Sequence, residues 1–357
     1  SAALVSAFNN RKQKDSVPAG WLKTQVDLYF YGTANDQIEL NGYVDQFIKD
    51  IESGQRLTDK NQRYKLGTIK NFKGFKVQFD LFQEKQRRKY DFSDIDMDFY
   101  SDYVGFFTQK NYSPNTIGRH IKSLKVIMRA AKAEKLHSSN DIDQRAFKIT
   151  TCDVQNIYLT DQEIKALFDL DLSKSPALEL ARNVFLVGCY TAQRFSDYST
   201  ITKNNIRKLE GGGSVVDLKQ KKTGERVIIP VRPELEYILS KYDYTLPHTW
   251  EQKINEHIKK VGRLAKIKEL VSIEEIKGGL KVKKDVEKCD LIKTHTARRS
   301  GATNMYLAGI STIDIMKITG HKTEREFLKY IKVTKEQTAQ TLILHPYCSN
   351  PVMKVSK

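Results

Sequence analysis

The chain has 357 residues, a length for two domains, or three if one is small. Hydrophobic residues at 39%, with 17 Tyr and 16 Phe, can bury a sizeable core, so a wholly disordered chain is excluded. Sixty Lys and Arg against 43 Asp and Glu leave a net charge of +17, which points to a polyanionic partner. No apolar run approaches the roughly 18 residues of a membrane span, and the longest, Val184 to Tyr190, is short. Residues 1–20 lack a basic-then-apolar secretory signal, so the cytosol is expected. Cys152, Cys189, Cys289 and Cys348 lie far apart without a C-x-x-C pair, which supports neither a disulfide framework nor a zinc site.

Residues 1–35 mix Pro, Gly and charge around a short β-prone stretch and read as an arm or linker. The spacing of Ile38, Leu40, Val44, Phe47, Ile48 and Ile51 predicts an amphipathic helix over 37–53. A second is expected over 65–87, with Ile69, Phe72, Phe75 or Lys76, Phe79 and Phe82 in one stripe, and a third over 94–109. Ser113 before Pro114 is an N-cap with proline at the first helical position; Ile117, Ile121, Leu124 and Met128 follow as a buried face. The opposite side carries Arg119, Lys122, Lys125, Arg129 and Lys132. Residues 36–147 thus read as a bundle of about four helices, with the basic faces of 65–87 (Lys65, Lys70, Lys73, Lys76) and 113–132 as candidate phosphate-gripping surfaces. A merely solvated lysine face is the alternative.

Residues 148–157 are polar and uncapped, an interdomain linker. Thr160-Asp161-Gln162-Glu163 is a capping box that opens the second domain, residues 158–334. A long apolar helix follows over 175–192, then hairpin strands at 215–218 and 226–231 around a turn at Lys222–Glu225. Helices are expected at 232–241, 250–268, 296–308, 312–318 and 324–333, with short strands between 270 and 290. The fold class is mainly α with a small β-sheet.

Separated positions of the second domain carry the chemistry. Arg194 lies in Thr-Ala-Gln-Arg-Phe-Ser-Asp, Lys222 in the hairpin turn eight residues before Pro230, His295 and Arg298 in His-x-x-Arg, His321 after Gly320, and Tyr330 nine residues after His321. In this order and spacing the sequence resembles the tyrosine recombinase (phage integrase) family, strongly over 158–346 and weakly over 36–147. The Arg194 block, with Phe-Ser-Asp after the arginine, is most similar to integrases of mobile elements from Bacteroidetes-type bacteria. Two departures stand out: Ala192 and Gln193 where the family usually has Gly and Leu, and Arg299 where it usually has His.

The residue types suit phosphodiester cleavage. Two guanidiniums, Arg194 and Arg298, can clamp non-bridging oxygens bidentately as negative charge builds. Tyr330 would attack phosphorus; a phenol with a pKa of about 10 needs a base or local positive charge to do so at neutral pH. Lys222 is the general acid for the departing 5′ oxygen, with Lys219 and Lys221 as neighbouring alternatives. His295 and His321 would hydrogen-bond the phosphate or help deprotonate Tyr330, and Asp197, one turn after Arg194, would orient a histidine or arginine. The segment Thr323-x-x-Glu326 predicts a helix start that places Tyr330 two turns into a short helix. No carboxylate cluster for magnesium is apparent, so a reaction without metal or cofactor is expected.

The resemblance implies a helical core-binding domain and a catalytic domain forming a C-shaped clamp on duplex DNA. It also implies a 3′-phosphotyrosine, a Holliday junction and a homotetramer on DNA assembled from monomers. A tail at 335–357 would dock through Leu342, Ile343 and Leu344 on a neighbour, or equally in a pocket of its own chain. Accessory DNA-bending or excision factors, and an arm-binding domain ahead of Ser1, are further expectations. A topoisomerase sharing this active site and a catalytically silent DNA-binding regulator are the rival readings.

Overall fold

The computed structural model describes residues 39–333, 335–343 and 346–349. The 1–35 arm and Leu344 lie outside the described residues. The chain divides between Asp153 and Val154 into two compact units, with Ile276–Val282 grouped with the first.

The first unit is helical: α1 (Leu40–Ser53), α2 (Leu66–Gln86), α3 (Met97–Gln109) and α4 (Pro114–Ala133). Spacings of three and four along α2 bring Ile69, Phe72, Phe75, Phe79 and Phe82 onto one face, and all are buried. Phe82 meets Tyr103, Phe106 and Phe99 of α3 edge-on at 5.0, 5.4 and 5.5 Å between ring centroids. Each such pair adds about 0.5–1.5 kcal/mol beyond its burial. The start of α3 is capped by Asp96, which accepts from Phe99 N at 2.8 Å, and that of α4 by Ser113 on Thr116 N at 3.3 Å.

In α4 the buried surface is wider than the sequence suggests, taking in Gly118, His120, Ser123, Lys125 and Ile127 as well. The chain beyond α4 folds back over its second side: a Cβ on Gly118 would lie 1.9 Å from the Thr150 carbonyl. The stem of Lys125 is covered there, and its ammonium donates to the Phe147 carbonyl at 2.7 Å.

The second unit begins with α5 (Asp161–Phe168), whose capping box pairs Glu163 N with Thr160 Oγ1 and Thr160 N with Glu163 Oε2. Next comes α6 (Pro176–Thr191), apolar nearly all round and correspondingly buried. After the four-residue α7 (Phe195–Tyr198), β1 (Ile206–Lys208), β2 (Ser214–Lys219) and β3 (Arg226–Pro230) form an antiparallel sheet in that order. Val216 sits opposite both Ile206 and Ile229. The edge strand β1 is an addition to the two expected strands.

Helices α8 (Pro233–Lys241) and α9 (Glu251–Leu264) precede a separate two-stranded hairpin, β4 (Leu270–Lys277) and β5 (Leu280–Glu287). The chain continues through α10 (Lys288–Leu291), α11 (Thr294–Leu307), α12 (Thr312–Thr319), α13 (Glu324–Leu328), α14 (Lys335–Ile343) and α15 (Pro346–Ser349). Leu342 and Ile343 lie exposed on α14. Close packing of α6 on α11 positions the site. A Cβ on Gly188 would come 2.7 Å from the Tyr198 ring and 3.0 Å from the Ala297 methyl. One on Gly301 would come 2.2 Å from the Cys189 carbonyl. Among the described residues, no helix is long and apolar enough to cross a membrane.

Candidate active site

Helix α6 ends at Ala192, whose φ of +52° reverses the chain. Arg194 then takes the N-cap position of α7. One guanidinium nitrogen of Arg194 donates to Gln220 Oε1 at 3.1 Å and lies 4.0 Å from the Asp197 carboxylate. The Asp197 side chain is fully buried. Its Oδ1 accepts from the Lys221 backbone N–H at 2.9 Å, so it ties α7 to the turn that carries Lys222. Its other oxygen has no hydrogen-bond partner, which leaves its charge directed to Arg194. Lys219, Lys221 and Lys222 are all exposed, and the positive charge of Lys222 reaches His295.

On α11, Arg298 is fully buried. It donates to the Ala192 carbonyl at 2.9 Å and the Thr319 carbonyl at 2.8 Å, and sits 3.1 Å from His321 Nε2. Burial, then the charge of Arg194, lowers its pKa to about 10, so it remains a cation at neutral pH. Its Nε–H has no partner although buried. An orphaned charged donor costs a few kcal/mol unless a ligand supplies the acceptor.

His321 follows the left-handed Gly320 (φ +69°) at the end of α12. The Thr319 hydroxyl donates to the Ile315 carbonyl and so accepts from His321 Nδ1–H at 2.8 Å. That tautomer leaves Nε2 as the acceptor for Arg298. Burial, then Arg298 and Arg194, pushes the His321 pKa down to about 3. An edge of the His295 ring reaches solvent; loss of water around the rest, then Arg299, Arg298, Arg194 and Lys222, takes it to about 4. Both imidazoles are neutral at pH 7.

The Tyr330 hydroxyl stands 3.3 Å from His295 Nε2. Its ring centroid is 4.7 Å from that of His321 and 5.3 Å from the Arg298 guanidinium carbon. Its setting differs from the expected one: α13 stops at Leu328, and Tyr330 occupies the following turn. The Tyr330 N–H bonds back to the Phe327 carbonyl at 2.7 Å, and the Thr303 hydroxyl takes the Tyr330 carbonyl at 3.3 Å. One local turn bond and one tertiary bond, the Thr303 hydroxyl donating to the Tyr330 carbonyl, thus take the place of a continuing helical ladder.

The fold therefore gathers Arg194, His295, Arg298, His321 and Tyr330 with the Lys222 turn, and brings Asp197 beneath them. Gln193 and Gln220, both buried, lie against Arg194 and each other; the sequence marks Gln193 only as a departure from the family pattern and does not mark Gln220. A separate carboxylate and thiol group, Glu287, Cys289 and Asp290, is engaged by Arg263 at 3.5 Å from Glu287 and 2.8 Å from Asp290.

In the first unit the basic surface is narrower than expected. Lys125 is buried, as its bond to Phe147 requires. Lys73 pairs with Glu52, Lys76 with Asp80 and Asp45, and Arg129 donates from two guanidinium nitrogens to one Asp143 oxygen. Lys65, Lys70, Arg119 and Lys122 are exposed.

A basic helical unit, followed by a unit that packs two arginines, two neutral histidines and a tyrosine together, defines a tyrosine site-specific DNA recombinase. The chain belongs to the phage integrase family: the family's catalytic model matches residues 158–337, and the phage integrase SAM-like domain matches 39–149. Among solved structures, it is similar to a lambda integrase dimer bound to a COC′ core site, at 18% identity. That match has a TM-score of 0.58 and covers 82% of this chain and 95% of that one. The Tn1549 transposon integrase in complex with circular intermediate DNA is 13% identical, with a TM-score of 0.59, covering 86% and 99%. The XerH recombinase bound to palindromic difH substrate is also 13% identical, with a TM-score of 0.59, covering 87% and 97%. At these identities the likeness is one of fold. No curated protein sequence matches the chain.

Proposed function

We propose that the chain integrates or excises a mobile element by cutting and rejoining DNA through Tyr330. The observation that carries the reading is the meeting of the Tyr330 hydroxyl with His295 Nε2 at 3.3 Å beside the buried Arg298. Arg194 and Arg298 grip the scissile phosphate, the orphaned Arg298 Nε–H supplying one donor. Neutral His295 accepts the phenol proton as the Tyr330 oxygen bonds to phosphorus. The P–O5′ bond breaks, and Lys222 protonates the leaving oxygen. The 3′-phosphotyrosine is then attacked by a 5′-hydroxyl from a partner duplex, which gives a Holliday junction and, after a second round, recombined DNA. His321 holds Arg298, and Asp197 holds the Lys222 turn against Arg194. Two units on one duplex, four chains on two sites and an exposed α14 offered to a neighbour complete the proposal. It gains support from a lambda integrase tetramer bound to a Holliday junction, 17% identical with a TM-score of 0.56.

The test is covalent trapping. Duplexes that the protein selects from a random-sequence pool are nicked at successive positions and incubated with it in EDTA, then run on a denaturing gel. An adduct is expected with the native protein and none with Tyr330→Phe. Exchange of strands between two labelled duplexes then separates recombination from topoisomerase resealing. Tight binding without an adduct on any duplex would instead make the chain a regulator.

A further inference from the structure

We infer that Gln193 and Gln220 form a buried amide bridge that sets the general-acid hairpin and both arginines in one register, which makes them positioning residues for strand cleavage; this rests on the recombinase reading. Gln193 is fully buried and Gln220 only 1% exposed. Gln220 Nε2 donates to Gln193 Oε1 at 2.7 Å and to the Thr319 carbonyl at 2.8 Å. Its Oε1 accepts from Arg194 at 3.1 Å and from the Thr223 hydroxyl at 2.6 Å. Gln193 Nε2 donates to the Thr191 and Ile318 carbonyls at 3.0 and 2.7 Å. The side-chain polar atoms of both residues are therefore all engaged.

Three features make this more than core filling. The Thr319 carbonyl that receives Gln220 also receives Arg298, so one amide touches the anchors of both guanidiniums. Gln220 also closes the Lys222 turn, its N–H donating to the Glu225 carbonyl and its own carbonyl accepting from Gly224 N–H, each at 2.8 Å. Finally, a Cβ on Gly320 would come within 2.7–2.8 Å of the Gln220 amide. Gly320, just before His321, thus both takes a left-handed φ and admits the bridge. A leucine at 193 would leave the Ile318 carbonyl and the Gln220 amide without their buried partners.

The experiment measures single-turnover adduct formation on the nicked duplex by the native chain, Gln193→Met, Gln220→Met and the double variant. Methionine keeps the volume of each side chain and removes its hydrogen bonds. Each duplex is made with oxygen or with sulfur at the bridging 5′ position; a thiolate departs without a proton, so sulfur bypasses the general acid. With oxygen, Gln220→Met is expected to slow cleavage by roughly 30–100-fold, as displacement of reacting groups by about an ångström does. DNA affinity should stay within about threefold, and sulfur should recover about tenfold or more of the loss, since that part arises at Lys222. The double variant should be no slower than Gln220→Met, the signature of two residues acting as a unit.

Gln193→Met does not touch Arg194, and its sulfur-recoverable slowing carries the test should Gln220→Met fail to fold. Cleavage at the native rate in either folded variant overturns the inference. So does a loss that sulfur leaves untouched and that tracks a fall in melting temperature. Absence of any adduct with the native chain would sink the recombinase reading itself, a separate result.

Discussion

His321 is held in the neutral state from both sides, donating through Nδ1 to Thr319 and accepting from Arg298 at Nε2. Protonation would set an imidazolium against the guanidinium. Its folded pKa of about 3 lies below the ordinary 6.5, so the unfolded chain binds the proton more readily. Its contribution to stability is therefore complete above about 6.5 and is lost as pH falls towards 3. Arg298, Arg194 and His295 face it on the cationic side, with Glu326 opposing them. Melting temperature followed from pH 7 to 4 should fall more steeply for the native chain than for His321→Gln, which has no proton to take up. Equal slopes would mean that His321 titrates normally.

At the scale of elements, the α6–α11 crossing decides where Arg298 sits. Gly301→Ala would drive a methyl to 2.2 Å from the Cys189 carbonyl, so a loss of about 1–3 kcal/mol or more is expected in denaturant titration. Ala192→Gly, at the other partner of that contact, should be close to neutral. Release of left-handed strain of about 1–2 kcal/mol is offset by a lost buried methyl at about 0.8 kcal/mol and by the added freedom of the unfolded chain at about 0.5–1 kcal/mol. This balance explains how alanine is tolerated at φ +52°. The short α13 belongs to the same scale. Its Thr323 cap was legible in the sequence, with Oγ1 accepting from Glu326 N at 3.3 Å. Its early end was not, because Thr303, which takes the Tyr330 carbonyl, is 27 residues away.

For the whole molecule, the net charge is +17, and among the described residues some of the basic side chains are held in ion pairs or buried while others are exposed. Phosphate contacts release counterions, so binding should weaken steeply with salt. Lys122→Ala on the exposed face of α4 is expected to reduce the slope of log affinity against log salt by about 1, at little cost in stability. Lys125→Ala, three residues on, should leave the slope unchanged and destabilise the first unit by about 1–3 kcal/mol, because the Phe147 carbonyl loses its buried donor. Parallel salt titrations and denaturant melts of the two variants separate these roles.

Local chemistry was written in the sequence. Helical periodicity drew α1 to α4, the Ser113 and Thr160 caps marked the starts of α4 and α5, and the order and spacing of Arg194, Lys222, His295, Arg298, His321 and Tyr330 pointed to one site across more than a hundred residues. Patterns of this kind depend on neighbours three or four positions away, or on the residue types that phosphate chemistry demands. Tertiary structure decided the rest: the burial of Lys125 under a returning chain, the end of α13, and the amide bridge of Gln193 and Gln220. Each depends on a partner more than 20 residues distant that satisfies a buried or partly buried polar group. No window of sequence shows which distant carbonyl will arrive, so a lysine on a basic face and a glutamine in place of leucine become intelligible only once the chain has closed around them.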